Sequence, residues 1–372
     1  MLTTTLPHLK CPKKKKGKAA CTGALRLVAK ETIREDVRSG HLECLACKTK
    51  FPILSGIAVL VDDVRAYLLE HVKGISKIVL DSEIPPEYLR EFRSAKADIR
   101  LEHIEDDLEA DRVNALYLMN HYLHAENNWW QPRSGKGSPL IDSLVREHWD
   151  RGPFAQIEKW IGKSKAPRSA VELGCGVGGL YAVLKPHLKS YLGVDSAFAS
   201  IALARHLNLG AAYRGVIKIP EDLLQGPTSR EVKIAAEKSP DGRADFIVGD
   251  IENPPLQSGK WDLALTLNAI DMLVDPAALP KLQSELLHSG GTAISSCPYI
   301  WHEAVAKKLR AKLPKTISDS AAAVEWLYEQ AGFKVLERVE HLPWLFFKHV
   351  RQLEIYSVHL FMANKHIAPA RV

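Results

Sequence analysis

A glycine-rich segment near the middle of the chain constrains the fold more than any other sequence feature. Residues 171–179 read VELGCGVGG, overlap an apolar run at 170–173 and open a helical pattern at 179–188. Glycines allow the tight turn, and the close approach of a ligand to backbone N–H groups, that a strand–turn–helix junction provides. The segment therefore predicts a ligand site at the carboxyl end of a buried strand in an α/β sheet.

The sequence around this junction alternates between short apolar runs and helical patterns, which is typical of a parallel α/β sheet. Upstream, the pattern between residues 64 and 126 is helical and is interrupted at Pro85-Pro86. The last two apolar runs follow one another without a helix, so they predict an antiparallel hairpin at the sheet edge. The predicted strands are 170–173, 191–194, 245–248, 262–267, 333–341 and 352–363, and the predicted helices of this part are 141–149, 179–188 and 198–207.

The glycines also satisfy the dinucleotide-binding fingerprint, so a nicotinamide or flavin enzyme is an alternative. Glu172 argues against it, because a carboxylate two residues before Gly174 would oppose a pyrophosphate. Asp195 ends the next predicted strand, where a carboxylate accepts ribose hydroxyls in either class of protein. Asp250 ends the following strand and can accept a hydrogen bond from an adenine amino group. Each acid taken alone is equally compatible with a turn or a helix cap.

Taken in order, these residues resemble the motif series of class I S-adenosylmethionine-dependent methyltransferases. The matching segments are 171–179, 193–196, 202–205 and 248–251. The resemblance implies a Rossmann-like α/β fold, with Glu172 turned to the methionine ammonium of S-adenosylmethionine, directly or through backbone and water. The predicted cofactor-binding residues are Glu172, Gly174, Gly176, Gly178, Asp195, Ser196, Asp250, Ile251 and Asn268.

Four of the six cysteines lie within the first 47 residues, and this clustering favours a metal site over disulfides. Cys44 and Cys47 are two residues apart, a spacing at which two thiolates grip one tetrahedral ion. Cys11 and Cys21 are separated by nine residues that include four consecutive lysines, which departs from a standard zinc knuckle. Free thiols are the alternative. We predict one structural zinc ion bound by Cys11, Cys21, Cys44 and Cys47.

The stretch from residue 21 to residue 60 resembles the small zinc-binding activator that partners tRNA, rRNA and translation-factor methyltransferases. The matching pieces are GHLECLAC at 40–47, FPI at 51–53 and GI at 56–57. In that family the module is a structural partner that carries no chemistry itself. The resemblance therefore implies an activator that is fused to its methyltransferase.

Residues from about 113 to 365 resemble the methyltransferase unit of ovothiol biosynthesis, which methylates a ring nitrogen of a mercaptohistidine. This chain lacks the iron-dependent sulfoxide-synthase portion to which that unit is often fused. Another imidazole, such as histidine or a histidine-containing peptide or natural product, therefore stays open as the substrate. The matching segments are 117–122, 195–198, 267–276, 296–303, 342–344 and 351–352, with a long insert between residues 205 and 245.

An imidazole acceptor needs a group that receives its second ring proton. A neutral ring nitrogen attacks directly, and a carboxylate that accepts the other N–H raises nucleophilicity and selects the tautomer. Asp271, after the strand at 262–267, is the predicted acceptor, with a helix cap as its alternative. His302 is predicted to hold the substrate or to accept a proton. The predicted substrate-binding residues are Tyr117, His121, Tyr122, Tyr299, Trp301 and Trp344.

Length and charge set the remaining expectations. The 372 residues divide into a zinc-binding module at 1–62, a helical linker and substrate-side cap at 63–150, and a methyltransferase domain at 151–372. The chain contains neither a membrane-length apolar run nor a secretory signal, which predicts a soluble, cytoplasmic protein. The net charge of +6 is mild, so a small molecule is favoured over nucleic acid as the partner.

A tRNA, rRNA or protein methyltransferase with its activator fused is the rival to a small-molecule enzyme. The basic run at residues 13–16 favours this rival. The absence of an Asn-Pro-Pro-Tyr-type segment after the strand at 262–267 counts against it. A silent scaffold that binds a partner through its zinc module is a third class, and the intact glycine loop and acids argue against it.

Overall fold

The computed structural model describes residues 1–14, 21–101, 114–122, 137–163, 168–211, 213–214, 218–220, 229–231, 234, 236, 241–349 and 352–366. The predictions for Lys15, Lys16 and Arg351, and those for residues 102–113 and 123–126 of the helical pattern, lie outside the described residues. None of the described helices combines the length and the apolarity that a bilayer span requires.

The N-terminal part forms a four-stranded antiparallel meander. Its strands are β1 (Leu25–Ile33), β2 (Asp36–Cys44), β3 (Lys50–Leu54) and β4 (Ile57–Leu60), and each pairs with the next. The sequence pattern did not predict β1 and β2, because most side chains of β1 are exposed and leave no alternating apolar signal.

Helices follow the meander, as the pattern between residues 64 and 126 predicts. The first begins after Asp63, whose side chain accepts a hydrogen bond from the backbone N–H of Ala66 at 3.0 Å, an ordinary N-cap. The predicted break at Pro85-Pro86 is confirmed, since a new helix starts at Pro86. The helices are α1 (Val64–Glu70), α2 (Val72–Ile78), α3 (Pro86–Leu101), α4 (114–122), α5 (Pro139–Arg151) and α6 (Pro153–Gly162).

The rest of the chain alternates strands and helices, as predicted. The elements are β5 (Arg168–Leu173), α7 (Gly179–Leu184), β6 (Leu188–Asp195), α8 (Phe198–Leu209), β7 (Lys218–Pro220), β8 (Ser229–Glu231), β9 (Ala244–Gly249), β10 (Trp261–Leu267), α9 (Ala278–Leu286), β11 (Leu287–Cys297), α10 (Glu303–Lys312), α11 (Ser320–Gln330), β12 (Phe333–His349) and β13 (Gln352–Lys365). The short strands β7 and β8 pair only with each other in the described pairing.

One sheet of eleven strands runs through the molecule in the order β1-β2-β3-β4-β9-β6-β5-β10-β11-β13-β12. The strands from β4 to β11 in this order are parallel, and β13 is antiparallel to β11. Chain order reverses between β5 and β10, which is a topological switch point, and ligands of such sheets bind at the carboxyl ends of the strands there. The predicted Rossmann-like α/β fold is confirmed.

The N-terminal meander is continuous with the parallel sheet. Strand β4 pairs with β9 in parallel, with Val59 opposite Val248 and Leu60 opposite Gly249. One hydrophobic core extends from the meander into the rest of the sheet. The domain boundary predicted at residue 62 falls just after β4, so sheet and core both cross it.

The predicted edge hairpin is confirmed, and it is longer than expected. Residues 352–358 of β13 pair with β12 alone, beyond the last pair between β13 and β11. Strand β12 passes through an irregularity at His341, whose φ is +58°, and continues to His349. The hairpin thus projects past the carboxyl end of β11, over the edge where a ligand is expected.

Candidate active site

The glycine loop between β5 and α7 has the backbone that a close ligand approach requires. Gly174, Gly176 and Gly178 all have positive φ angles, of +81°, +50° and +76°. A side chain at Gly178 would also collide with Phe246, since a Cβ there would lie 2.7 Å from the Phe246 ring. The loop therefore tolerates little besides glycine at these positions and lets a ligand approach its backbone closely before α7.

Asp195, at the end of β6, faces this loop. Its Oδ2 accepts a hydrogen bond from the N–H of Gly176 at 2.9 Å, and its Oδ1 accepts one from the N–H of Ala197 at 2.8 Å. Burial raises the pKa of Asp195, while these backbone donors favour the charged form. A carboxylate offers about four acceptor positions, so the side chain retains capacity for two ribose hydroxyls. The geometry fits the predicted cofactor.

Glu172 is buried beneath the loop and receives a hydrogen bond from the hydroxyl of Tyr191 on β6. Burial raises the pKa of Glu172 to about 8, and the charge of Asp195 adds to this rise. The side chain is therefore mostly protonated at neutral pH while no cation lies beside it. A ligand ammonium would favour its ionised form.

The adenine end of the predicted site borders the N-terminal segment. Asp250 follows β9, and its Oδ1 accepts a hydrogen bond from the N–H of Glu252 at 2.8 Å. The ammonium of Lys14 lies 3.9 Å from the other oxygen of Asp250. The neighbouring Ile251 is half-buried. The Lys14 N–H also donates to Asp62 Oδ1 at 2.7 Å, so this part of the lysine run packs at the sheet edge.

Helix α1 contacts the predicted ribose side through Tyr67, a residue that the sequence pattern did not single out. The hydroxyl of Tyr67 donates a hydrogen bond to the backbone oxygen of Ser196 at 2.6 Å. The Ser196 side chain itself is exposed. Tyr67 occupies an ordinary buried position of an amphipathic helix, so no sequence signal distinguishes it from core packing.

Helix α4 packs on the glycine loop with two of the predicted substrate-binding residues. The hydroxyl of Tyr122 donates to the carbonyl of Val177 at 2.7 Å and accepts from Asn208 at 2.8 Å, so it braces the loop from within the protein. His121 packs directly on Gly179, where an added Cβ would lie 2.4 Å from the His121 Cβ. Burial lowers the pKa of His121 to about 3, so its ring is neutral.

Aromatic rings from α4, α6 and the hairpin gather around His121. Its ring centroid lies 5.8 Å from those of Tyr117 and Trp344 and 5.2 Å from that of Phe154. Phe346 contacts Tyr117 edge-on at 5.6 Å. The structure thus brings Tyr117, His121 and Trp344 together. Sequence analysis missed Phe346, which lies beyond the predicted end of its strand, and Phe154, which resembles any core aromatic of a helix.

Two strained residues follow consecutive strands at the same sheet edge. Asn268 after β10 has φ +52°, and Tyr299 after β11 has φ +61°. Left-handed backbone at non-glycine residues costs roughly 1–3 kcal/mol each and concentrates at functional sites. The two loops are joined, because Ser296 Oγ donates to Asn268 Oδ1 at 3.1 Å and the N–H of Ile300 donates to Asp271 Oδ2 at 2.7 Å. The site therefore has a fixed, pre-formed edge.

The predicted catalytic residues occupy different surroundings. Asp271 is only 6% exposed and holds the loop after β11 through one oxygen. His302 is exposed at the N-cap position of α10, and its side chain makes no cap hydrogen bond. Trp301 stacks on Tyr299 with ring centroids 5.7 Å apart and donates its indole N–H to Ser320 at 3.0 Å.

Comparison with known families decides the class of the protein. Residues 145–338, more than half of the chain, match the sequence model described as a methyltransferase domain. The chain belongs to the methyltransferase domain family. The family supports S-adenosylmethionine, and not a dinucleotide, as the cofactor, as the motif series predicted. No curated protein matches the methyltransferase.

Several solved structures match this chain at low sequence identity. A chain of the Haloferax volcanii complex of the Trm112 methyltransferase activator with a methyltransferase is 15% identical, covering 61% of this chain and 95% of that one, with a TM-score of 0.38. Magnesium protoporphyrin IX methyltransferase from Synechocystis is 12% identical over 68% and 97%, with a TM-score of 0.38. A Thermotoga maritima S-adenosylmethionine-dependent methyltransferase is 17% identical over 61% and 96%, with a TM-score of 0.34.

The four predicted metal ligands of the methyltransferase lie together. The four cysteine sulfurs are all within 4.8 Å of one another, and none of the described cysteines forms a disulfide bond. The sulfurs of Cys11 and Cys47 are 3.6 Å apart, and those of Cys21 and Cys44 are 3.7 Å apart. A tetrahedral zinc ion with bonds of about 2.3 Å to sulfur separates its ligand atoms by about 3.8 Å. The donor set and its geometry fit a four-thiolate zinc site.

Proposed function

We propose that this methyltransferase transfers the methyl group of S-adenosylmethionine to a ring nitrogen of a small imidazole compound, such as histidine, mercaptohistidine or a related natural product. The observation that carries the proposal is the buried carboxylate of Asp271. It lies in the loop after β10 at the switch-point edge of the sheet, and it accepts the N–H of Ile300 from the loop after β11. Aromatic rings gather at the same edge.

The cofactor supplies a methyl group on a positively charged sulfur. In the proposed site the backbone of residues 174–178 approaches it closely, and Asp195 accepts hydrogen bonds from its ribose hydroxyls. Asp250 accepts a hydrogen bond from the adenine amino group, with Ser196, Ile251 and Asn268 shaping the pocket. Glu172 lies on the side of the methionine ammonium, and losing its proton there would add a favourable charge pair.

The acceptor ring is positioned by this chain's own groups. Asp271 receives the N–H of the ring, selects the tautomer with a free attacking nitrogen, and stabilises the positive charge that develops. Aromatic side chains form the walls, because aromatic faces suit a ring that becomes cationic. These side chains are Tyr117, His121, Tyr299, Trp301 and Trp344. Tyr122 supports the glycine loop behind them. His302, at the exposed rim, holds the substrate or takes the released proton.

The zinc-binding module at 1–62 has a structural role in this proposal. The zinc ion would cross-link Cys11 and Cys21 to the β2–β3 turn, which carries Cys44 and Cys47. It would thereby hold the N-terminal segment near Asp250. The segment at 63–150 would cap the substrate side of the methyltransferase domain at 151–372.

A macromolecular acceptor is the second candidate, and exposed apolar side chains favour it. Met272, Val274 and Ile300 are 78%, 68% and 61% exposed on the loops after β10 and β11. Exposed apolar groups at the mouth of a site suit a large partner such as a protein or tRNA. The fused module, which resembles an activator of such enzymes, supports the same reading.

A mass-shift assay separates the two candidates. Purified protein is incubated with methyl-labelled S-adenosylmethionine and with histidine, mercaptohistidine, small imidazole peptides or bulk tRNA. Labelling of an imidazole compound at a ring nitrogen supports the proposal. Labelling of tRNA or of a protein fraction, with all imidazole compounds unmodified, overturns it in favour of the second candidate.

A further inference from the structure

A chain of polar side chains around the buried His359 lies behind one wall of the proposed acceptor site. The hydroxyl of Tyr299 lies 2.7 Å from Nδ1 of His359, which is buried in β13. On the other side of this imidazole, Nε2 lies 3.3 Å from Oε1 of Glu325 and 3.7 Å from Oε1 of Glu340. Arg338 contacts the same oxygen of Glu325 at 3.1 Å.

The charges around His359 select one tautomer of its ring. Burial, with a smaller contribution from Arg338, lowers the pKa of His359 to about 4, so the imidazole is neutral and carries a single N–H. The carboxyl groups of Glu325 and Glu340 beside Nε2 favour the proton on that nitrogen. Nδ1 is then free to accept the hydrogen bond of the Tyr299 hydroxyl.

The backbone of Tyr299 needs such an anchor. Its φ of +61° lies in the left-handed region, which is unfavourable for an aromatic residue. Its N–H donates to Cys297 Sγ at 3.3 Å, and its ring stacks on Trp301 with an interplanar angle of 13°. Trp301 is in turn bonded to Ser320 on α11. The hydroxyl contact to His359 and the stacking on Trp301 together stabilise this unfavourable backbone conformation.

We propose that His359 is a positioning residue that holds Tyr299, and through it Trp301, as a pre-formed wall of the methyl-acceptor site. This inference rests on the proposed function, which locates the acceptor at this edge of the sheet. Because this wall is ordered before the acceptor binds, no binding free energy is lost to ordering it. Loss of the anchor therefore raises the KM for the acceptor more than it lowers kcat.

Kinetics of matched variants test this role. Tyr299→Phe and His359→Phe each raise the acceptor KM roughly tenfold, in the range of one lost hydrogen bond, and the double variant is no worse than either. His359→Asn, which retains an acceptor close to the position of Nδ1, stays near the wild type. Tyr181→Phe, which removes a buried hydroxyl bonded to Asp241 ahead of β9, is the control and changes neither constant. Additive effects of the two substitutions overturn the inference.

A second measurement does not depend on the acceptor. The indole N–H resonance of Trp301, assigned through Trp301→Phe, is followed by NMR with S-adenosylhomocysteine present. Tyr299→Phe and His359→Phe shift it, while His359→Asn and Tyr181→Phe leave it in place. An unmoved resonance in the first two variants overturns the inference, whichever acceptor is correct.

Failure of the proposed function has a different signature. If the resonance shifts but no imidazole compound is methylated, the proposed substrate is wrong. The KM comparison is then made with the tRNA or protein fraction that becomes labelled. If the wild type and Tyr299→Phe have the same KM for that labelled fraction, the positioning role is overturned as well.

Discussion

The carboxyl groups of the candidate site differ in how their surroundings affect their protonation. Asp195 is tied to two backbone N–H groups, which favour its charge against burial. Glu172 is buried and bonded to a tyrosine hydroxyl, and its pKa rises to about 8. Glu172 is therefore poised to change protonation near neutral pH when a cation arrives.

Replacing Asp195 tests the ribose contact. Asp195→Ala removes a charged acceptor from two hydroxyls, so S-adenosylmethionine binding weakens by about 1.5–3 kcal/mol, roughly 10- to 150-fold. Isothermal titration calorimetry measures the affinity. Asp81→Ala, which removes a half-buried acid paired with Arg93 and Lys96 away from the glycine loop, is the control. An affinity within twofold of the wild type would remove Asp195 from the cofactor site.

Proton release tests the position of Glu172. Because its pKa is raised to about 8, the cofactor-free protein carries this proton at pH 6.5, and an ammonium bound beside it displaces the proton. Calorimetry in buffers of different ionisation enthalpy should therefore show about one proton released per cofactor bound, and less as the pH approaches 8. Glu172→Gln, which can still accept from Tyr191, should release none. Equal release from both proteins would place the ammonium elsewhere.

At the scale of the elements, the loops after β10 and β11 and the long hairpin together form the proposed acceptor side. Asp271 links the first two loops through the N–H of Ile300. The hairpin brings Trp344 and Phe346 to rings on α4. Such joined elements hold an acceptor in one orientation, which is the main contribution that a protein makes to a displacement reaction.

The substitution Asp271→Asn separates the charge of this residue from its structural bond. An amide oxygen still accepts the N–H of Ile300, so the loops stay joined, but the charge that stabilises an imidazolium is lost. Turnover should fall by roughly 100-fold or more, with cofactor affinity nearly unchanged. The matched control is Asp275→Asn, an exposed acid in the same loop that pairs with Lys312. A parallel loss of cofactor affinity would assign Asp271 to the cofactor instead.

At the scale of the whole molecule, the N-terminal meander and the methyltransferase sheet share one hydrogen-bonded sheet and a buried ion network. Arg205 on α8 is 1% exposed and pairs with Asp245 on β9 and with Asp36 on β2. Asp245 also accepts a hydrogen bond from Thr5 at 2.7 Å. These contacts cross the boundary at residue 62, so the two parts should unfold together.

The Arg205→Met substitution tests the ion network. It leaves two carboxylates without their buried partner, so the free energy of unfolding should fall by about 3–5 kcal/mol. Chemical denaturation followed by circular dichroism measures the change. Arg26→Met makes the same substitution in an exposed pair with Glu43 on the meander and should leave stability unaltered. A small effect of Arg205→Met would show that the network is not needed across the boundary.

Metal removal tests the proposed zinc site at the same scale. Elemental analysis of reduced protein should find about one zinc ion per chain, as a single four-thiolate site requires. Cys44→Ser should lower the zinc content and shift one cooperative thermal transition, because metal binding is coupled to a fold that continues into the catalytic sheet. Two separate transitions, with the later one unshifted, would show that the module folds independently of the rest.

The sequence by itself determined the parts of this protein whose signals are local. The glycine loop, the acids at strand ends, the strand–helix alternation and the clustered cysteines depend on backbone sterics and residue spacing within short windows. Only the tertiary structure decided how distant segments meet. It joined the meander to β9, placed Tyr122 behind the glycine loop, brought Phe154 and Phe346 to the acceptor side, and set His359 against Tyr299. These contacts join residues that are far apart in the chain. The sequence around a buried aromatic or polar residue does not indicate which distant residue it will contact.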